Sequence, residues 1–373
     1  MIVLFGKRDN KYSYYCGIVI AILFSGLRYQ NGNDYLTYVD IVRNIEDHAW
    51  YIEPGFYYFV KGLNLFPHPE YLMFFLFSAA TISLIAVGIN DLRDRKFAFF
   101  CYIIMPGLFL NSFHLIRQML SVSIFFYVFS ELIKYNNRGC YWLGMIIATA
   151  FHFTGILPFL VGYIVFKTSA KQFGKNGLIS NPVGGVIAKV DSLSGKILRF
   201  TDRSKHLSVW LIFFVLLFSY VGSILEIPRF ILPYFDGGKF EIYIDWKDEE
   251  SKIKLIIFNM LTLFFAGSAK NDGQKEVYEI YLKIWLVGIV LLNLFSAFSP
   301  IVRITYYFLV FGLPLVAIST SRLSFRLKFI ARSAFIFTFS VATVLSFVKL
   351  EQLLVEQGGN GISLLNYNFL LLQ

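Results

Sequence analysis

Residues 71–96 read YLMFFLFSAATISLIAVGINDLRDRK. From Tyr71 to Asn90 there is no charge; from Asp91 to Lys96 five of six residues are charged. An uncharged apolar run of this length is what a helix needs to cross a bilayer, and the charged turn marks where the crossing ends. Outward in both directions the same alternation continues, apolar runs divided by short charged turns. The 373 residues are 57% hydrophobic and 16% charged, against roughly 25% charged in a soluble domain. A soluble enzyme, a disordered chain and a disulfide scaffold are thereby excluded. Cys16, Cys101 and Cys140 lie in or beside apolar runs and suggest no disulfide framework. The expected fold class is all-α: one polytopic membrane domain over residues 1–373, with roughly nine to eleven membrane segments, some of them short or re-entrant.

The net charge of +10 sits mostly in the turns. It reads as a topology signal and not as a nucleic-acid surface. Lys7, Arg8 and Lys11 keep the N-terminus cytoplasmic, and the run 14–27 crosses outward with no cleavage site behind it. The polar segment 28–54 then forms a periplasmic loop. In it Tyr35, Leu36, Val39, Val42 and Ile45 recur at helical spacing behind Asn33 or Asp34 as N-cap, which predicts an amphipathic helix at the membrane surface. Residues 54–66 are apolar but short, and 97–113 and 119–135 are further spans. The stretch 141–166 has basic flanks at both ends, so it enters and leaves on one side, as two half-helices meeting near His152. Loop 167–206 carries eight basic residues against two acids and is cytoplasmic. Residues 207–225 cross outward to a periplasmic loop, 226–252, with seven acids against four basic residues. The runs 253–269, 280–298, 304–318 and 329–350 complete the chain.

The sequence lacks a phosphate-binding Gly-rich loop of either common kind, which argues against an ATP-driven pump and a nicotinamide enzyme. Cys and His do not fall at zinc spacing, and there is no Asp-x-Asp pair to hold a metal with a sugar nucleotide. Neither cofactor nor metal is expected. What remains is a set of ionisable residues beside or inside apolar runs, where they are costly and become functional candidates. Loop charge places Arg28, Asp34, Glu53, His114, Arg117, His152 and Arg303 at or near the outer face.

Each has an ordinary alternative. Arg28 could reach headgroups and Asp34 could cap a helix; Glu53 before Pro54 suits a helix start. Arg117 with Gln118 is harder to dismiss, since two polar groups stand together between apolar runs, with His114 one helical turn before. An arginine can hold a phosphate through two parallel hydrogen bonds and keeps its charge. His152 stands at the break of an apolar run, where an imidazole can work near neutral pH. Arg303 precedes Tyr306 and Tyr307 at another outer edge. Three arginines and few acids facing one side suit an anionic, lipid-linked ligand.

In order and spacing these residues resemble the EpsG/Wzy-like polysaccharide polymerase family. The resemblance rests on Arg28, Gly32, Asp34, Tyr35 and Tyr38; on Glu53-Pro54-Gly55-Phe56; on Arg117-Gln118; on Phe151-His152; and on Arg303 before Tyr306. Asn33 stands where that family commonly has Thr or Ser, and the loop 167–206 is longer than usual. The resemblance implies a glycosyltransferase that joins undecaprenyl-diphosphate-linked repeat units into O-antigen or a similar surface polysaccharide. It implies a multi-pass protein of the bacterial inner membrane, with its site facing the periplasm. Arg28, Arg117 and Arg303, helped by Gln118, Tyr38, His114 and Tyr306, would bind substrate. His152, Glu53 and Asp34 would be the catalytic groups, with His152 or Glu53 as base. The partners would be the lipid-linked glycan, the bilayer and a chain-length regulator, without nucleic acid. The competing functions are a flippase for the lipid-linked unit and a membrane O-acyltransferase of the glycan.

Overall fold

The computed structural model describes residues 11–32, 34–172, 252–268, 273–296 and 299–356. The N-terminal basic residues through Asn10, Asn33, nearly all of the basic loop 167–206, the run 207–225, the loop 226–252 except its last residue, and the tail after Glu356 lie outside them. Among the described residues all regular structure is helical. The helices are α1 (Lys11–Gly26), α2 (Tyr35–Arg43), α3 (Pro54–Leu63), α4 (Pro69–Gly88), α5 (Arg95–Ile104), α6 (Ile116–Tyr135), α7 (Arg138–Phe151), α8 (Ile156–Gln172), α9 (Lys252–Gly267), α10 (Lys275–Leu294), α11 (Ser299–Leu309), α12 (Gly312–Ser321) and α13 (Phe325–Glu356).

Among the described residues, five stretches are long and apolar enough to cross a membrane: Pro69–Gly88, Ile116–Tyr135, Lys275–Leu294, Pro300–Ser321 and Phe325–Leu345. Three shorter apolar helices join them, Tyr12–Gly26, Phe153–Ser169 and Lys254–Gly267. The protein is a polytopic all-α membrane protein. It divides into two compact units, Met1–Phe159 with Val310–Gln373, and Leu160–Leu309.

In the first unit α6 packs on α4 and α7, and α4 packs on α1. Lipid gives apolar helices little reason to prefer one another, so close packing and polar bonds between helices set the partners. Tyr14 donates to the Ala86 carbonyl at 2.7 Å, and Ser25 and Ser78 share a 2.9 Å bond, both joining α1 to α4. At the opposite end of the chain, Lys328 and Arg332 of α13 converge on Asp94 at 2.8 and 2.7 Å. In the second unit Asn259 of α9 and Asn293 of α10 exchange two 2.9 Å bonds, and Trp285 donates to Thr262.

Four expectations meet the structure here. The run 97–113 is not one span: α5 ends at Ile104, and the chain turns through Pro106 and Gly107, which has a φ of +82°, into a short 3-10 helix, Leu110–Phe113. Proline has no N–H to continue the ladder, and a positive φ ends it. The run 304–318 falls, as expected, within one stretch long and apolar enough to cross, Pro300–Ser321, though a short break divides it into α11 and α12. The amphipathic helix exists as α2, but its packed face is Tyr35, Tyr38, Ile41 and Val42, with Ile45 beyond it. Leu36 is 42% exposed, because it stands about 100° around the helix from Tyr35. Asp34 does hold the N-cap position, though its side chain makes no capping bond. The stretch 141–166 breaks at His152 as expected: α7 ends there, His152 is extended (φ −156°, ψ 114°), and a 3-10 turn leads into α8.

Candidate functional site

Glu53 is the N-cap residue of α3, in extended backbone (φ −63°, ψ 140°), with Pro54 preset for the first turn. Its carboxylate does not cap that helix. It reaches across to the starts and breaks of two other elements. One oxygen, Oε2, accepts from Nη1 of Arg117, the second residue of α6. The other, Oε1, lies 3.0 Å from Nδ1 of His152 and accepts from the Phe153 N–H at 3.3 Å. One carboxylate thus ties the N-terminus of α3, the N-terminus of α6 and the break after α7.

The local sequence explains how these come together. A Cβ on Gly55 would stand 2.7 Å from the Ala150 carbonyl oxygen, so only glycine lets α3 lie this close to α7. The extended backbone at His152 interrupts α7 and aims the imidazole at Glu53 in place of continuing the helix. Below the ion pair, the Arg117 guanidinium lies over the rings of Tyr38 and Phe56 at 5.8 and 5.2 Å. The three charged or titratable side chains remain partly open: Glu53 is 15%, Arg117 19% and His152 22% exposed.

Burial works against ionisation of Glu53, but the His152 hydrogen bond and the Arg117 and His152 charges outweigh it and hold its carboxyl at about 2. A carboxylate so held is an orienting group and a weak base. Because an ionised carboxylate only accepts, the His152 nitrogen facing it, Nδ1, carries the proton, and whenever the ring is neutral Nε2 has the lone pair. Arg117 gives one donor to Glu53, and its buried Nε–H has no hydrogen-bond partner among the described residues. The cluster therefore sets a fixed cation beside an oriented imidazole, both partly open. Among the described residues no group of three or more His, Cys, Asp or Glu side chains is placed to hold a metal ion.

The remaining sequence-derived residues fall in several places. Tyr38 lies under Arg117, and Asp34, one turn before it on the chain, acts electrostatically on its phenol. Gln118 is buried beside Arg117 in sequence. His114 is not on the same helix as Arg117: it follows the 3-10 turn, and α6 begins only at Ile116. Arg28 is 1% exposed and stands between the rings of Phe74 and Phe113 at 4.7 and 4.8 Å, with Tyr35 stacked on Phe74 at 4.4 Å. It bonds the Ser25 carbonyl at 3.1 Å. Gly32 (φ +105°) is the residue that lets this chain pass the Phe113 carbonyl, which a Cβ would meet at 2.5 Å. Arg303 and Tyr306 lie one turn apart on α11, in the second unit. Sequence reading missed Lys254 of α9, whose ammonium is buried 3.4 Å from the Tyr306 hydroxyl and 5.2 Å from its ring. Its apolar neighbours made it look like the flank of a span.

The carboxylate shared between an arginine and a histidine, at helix ends, thus lies in a polytopic helical membrane protein. The chain belongs to the EpsG family, whose family model matches residues 11–369. Membership supports a polymerase- or glycosyltransferase-like role in polysaccharide biosynthesis. No curated protein and no solved structure matches it.

Proposed function

We propose that the protein polymerises lipid-linked glycan repeat units, transferring the growing chain from undecaprenyl diphosphate to the incoming unit at the periplasmic face of the inner membrane. The observation that carries this reading is the Glu53 carboxylate shared between Arg117 and His152. His152 Nε2 takes the proton of the acceptor hydroxyl as its oxygen bonds to the donor's anomeric carbon. The bond from that carbon to the diphosphate oxygen breaks, and the diphosphate leaves with the electron pair. Arg117 neutralises the charge that develops there. Glu53 orients the imidazole and stabilises the imidazolium that forms, the part a carboxylate plays in a hydrolase triad. Asp34 and Tyr38 support the Arg117 side, and Arg28 we assign to the scaffold. Arg303, with Gln118, His114 and Tyr306, is proposed as further substrate contact, and a chain-length regulator as partner.

Gene deletion followed by gel separation of the surface polysaccharide tests this. The expected result is a single repeat unit in place of a ladder; loss of every unit would show a flippase, and an intact ladder a modifying enzyme. His152→Ala should reproduce the deletion while the protein still accumulates in the membrane, since loss of a general base costs roughly 10²–10⁴ in rate. A cysteine at Lys175 should stay unlabelled by an impermeant maleimide in intact cells, and one at Trp50 should label; the reverse pattern overturns the sidedness.

A further inference from the structure

Glu53 stands at the end of the link between α2 and α3, residues 44–52. The backbone of this link closes on itself only through single turns: the Asp47 N–H bonds the Asn44 carbonyl at 3.1 Å, His48 that of Ile45 at 3.3 Å, and Tyr51 that of His48 at 3.3 Å. Such turns fix local shape and not the place of the link against its neighbours, so side chains must set that. Toward α3, Glu46 accepts from the Tyr57 hydroxyl at 2.6 Å and the Lys61 ammonium at 2.9 Å. Both charges of that pair are largely in solvent, where an ion pair holds weakly. Toward α2 there is a second set. Asp40 of α2 places Oδ2 at 2.9 Å from Nε2 of His48, and Nδ1 of the same ring lies 2.7 Å from the Tyr51 hydroxyl. Asn44 donates to the other Asp40 oxygen at 2.8 Å.

The chemistry of these groups keeps the chain closed. The Asn44 and His48 bonds hold the Asp40 carboxyl below its usual range, so it is ionised and only accepts, and Nε2 carries a proton. Burial raises the Tyr51 phenol against the pull of Arg117, so the hydroxyl keeps its proton. A neutral His48 ring accepts that proton at Nδ1, and a charged one donates from Nδ1 to the phenol oxygen; the bond survives either way. Tyr51 is two residues before Glu53, with the buried Ile52 between them. Tyr38, two residues before Asp40 on α2, lies under the Arg117 guanidinium. The chain thus ties the backbone that carries Glu53 to the helix that carries the ring beneath Arg117.

We infer that Asp40, His48 and Tyr51 form a clamp that positions Glu53 against Arg117 and His152. The inference rests on the proposed polymerase reading and adds to it what sets the geometry of the orienting carboxylate. All three are positioning residues: they act through Glu53 on the imidazolium that the transfer generates.

The test supplies the full-length protein, in liposomes, with the lipid-linked repeat unit extracted from cells lacking the gene, and reads kcat and KM per folded molecule. Tyr51→Phe removes one oxygen and keeps the ring. It should lower kcat about five- to tenfold, the size of one net hydrogen bond, and leave KM within about twofold, because the imidazolium exists only beyond the ground state. A bond that serves folding alone would lower the yield of folded protein and leave both constants of the folded fraction unchanged; that result overturns the clamp. So does a raised KM with kcat unchanged, which would make Tyr51 a substrate contact. His48→Leu opens the chain at its middle and should lower kcat by a similar factor, so either variant carries the reading should the other not fold. Tyr51→Phe added to His48→Leu should cost less than a further twofold, since the hydroxyl acts only through the imidazole; losses that multiply overturn the clamp. A wild-type protein that builds no polymer refutes the polymerase reading and this one with it, whereas an active wild type with an unaffected Tyr51→Phe refutes the clamp alone.

Discussion

Replacing Glu53 with glutamine keeps the shape of the side chain and removes its charge. Held at about 2 against an ordinary 4.5, the wild-type carboxyl favours its ionised form by about 3 kcal/mol. The three side chains are 15–22% exposed, so water takes over part of what the carboxylate supplied. A loss of about 2 kcal/mol is the expected net effect for Glu53→Gln at neutral pH. In a chain of this size that corresponds to a fall in melting temperature of about 2–5 °C.

The sign of the pH dependence follows from the same shift. A carboxyl lowered in the folded state contributes its stabilisation fully above its unfolded value, near 4.5, and loses it as pH falls toward 2. The wild-type protein in detergent should therefore lose stability across that window, and the difference between wild type and Glu53→Gln should close as pH falls. Scanning fluorimetry of both proteins from pH 3 to pH 7 reads this directly. Polymer should be lost as well, because the glutamine neither stabilises an imidazolium nor neutralises Arg117. A variant with unchanged melting temperature at pH 7 and a full ladder would refute the argument that this carboxylate organises the site.

Three further outcomes are expected. Arg117→Lys and Arg303→Lys should lose most polymer on a gel despite keeping the charge, since an ammonium cannot present the planar fork that grips a diphosphate; normal ladders would remove that role. Arg28→Lys should lower the melting temperature through loss of its two ring contacts, about 1–2 kcal/mol, while activity per folded molecule stays near normal; a stable but inactive variant would return Arg28 to the substrate. Gly55→Ala should cost about 1–3 kcal/mol by pressing on Ala150, and should reduce polymer more than stability, because it shifts Glu53 away from His152.

The long helices were legible because lipid demands length and apolarity together, and residues 71–90 supply both. The break at His152 was legible from arithmetic on loop charge: basic flanks on both sides leave no other way to use 26 residues. The split at Pro106 and Gly107 was written in two familiar residues, but the surrounding apolarity outweighed them in the reading. Arg117, Glu53 and His152 were each singled out as ionisable groups in costly places. Their mutual bonds were not, since they lie 64 and 99 residues apart and no local pattern encodes a contact at that separation. Arg28 shows what a sequence leaves open. A membrane-edge arginine looks the same in sequence whether it reaches headgroups or is packed between two rings, and only Phe74 and Phe113 decide it. Asp40, His48 and Tyr51 carried no signal at all, because polar residues in a polar loop are unremarked until a fold brings them within 3 Å.

Three local costs meet at one carboxylate. Arg117 puts a cation in the first turn of α6, where the helix dipole disfavours it. Glu53 stands at the N-cap of α3 and forgoes the bond that position offers. His152 ends α7 in extended backbone, within an apolar stretch that could have continued as helix. Any one of these could be an accident of packing. Together they are a pattern, because each is relieved only by the other two: the dipole cost by the Glu53 charge, the forgone cap by the Arg117 and His152 bonds, the broken helix by the Phe153 N–H that the same carboxylate accepts. Sequences keep such departures from local preference where function requires them. An arrangement selected for stability alone would place the anion at the start of α6 and let α7 run on. What this arrangement secures instead is an oriented imidazole at His152 beside a fixed cation at Arg117, which is what the proposed transfer of a glycan from a diphosphate would need.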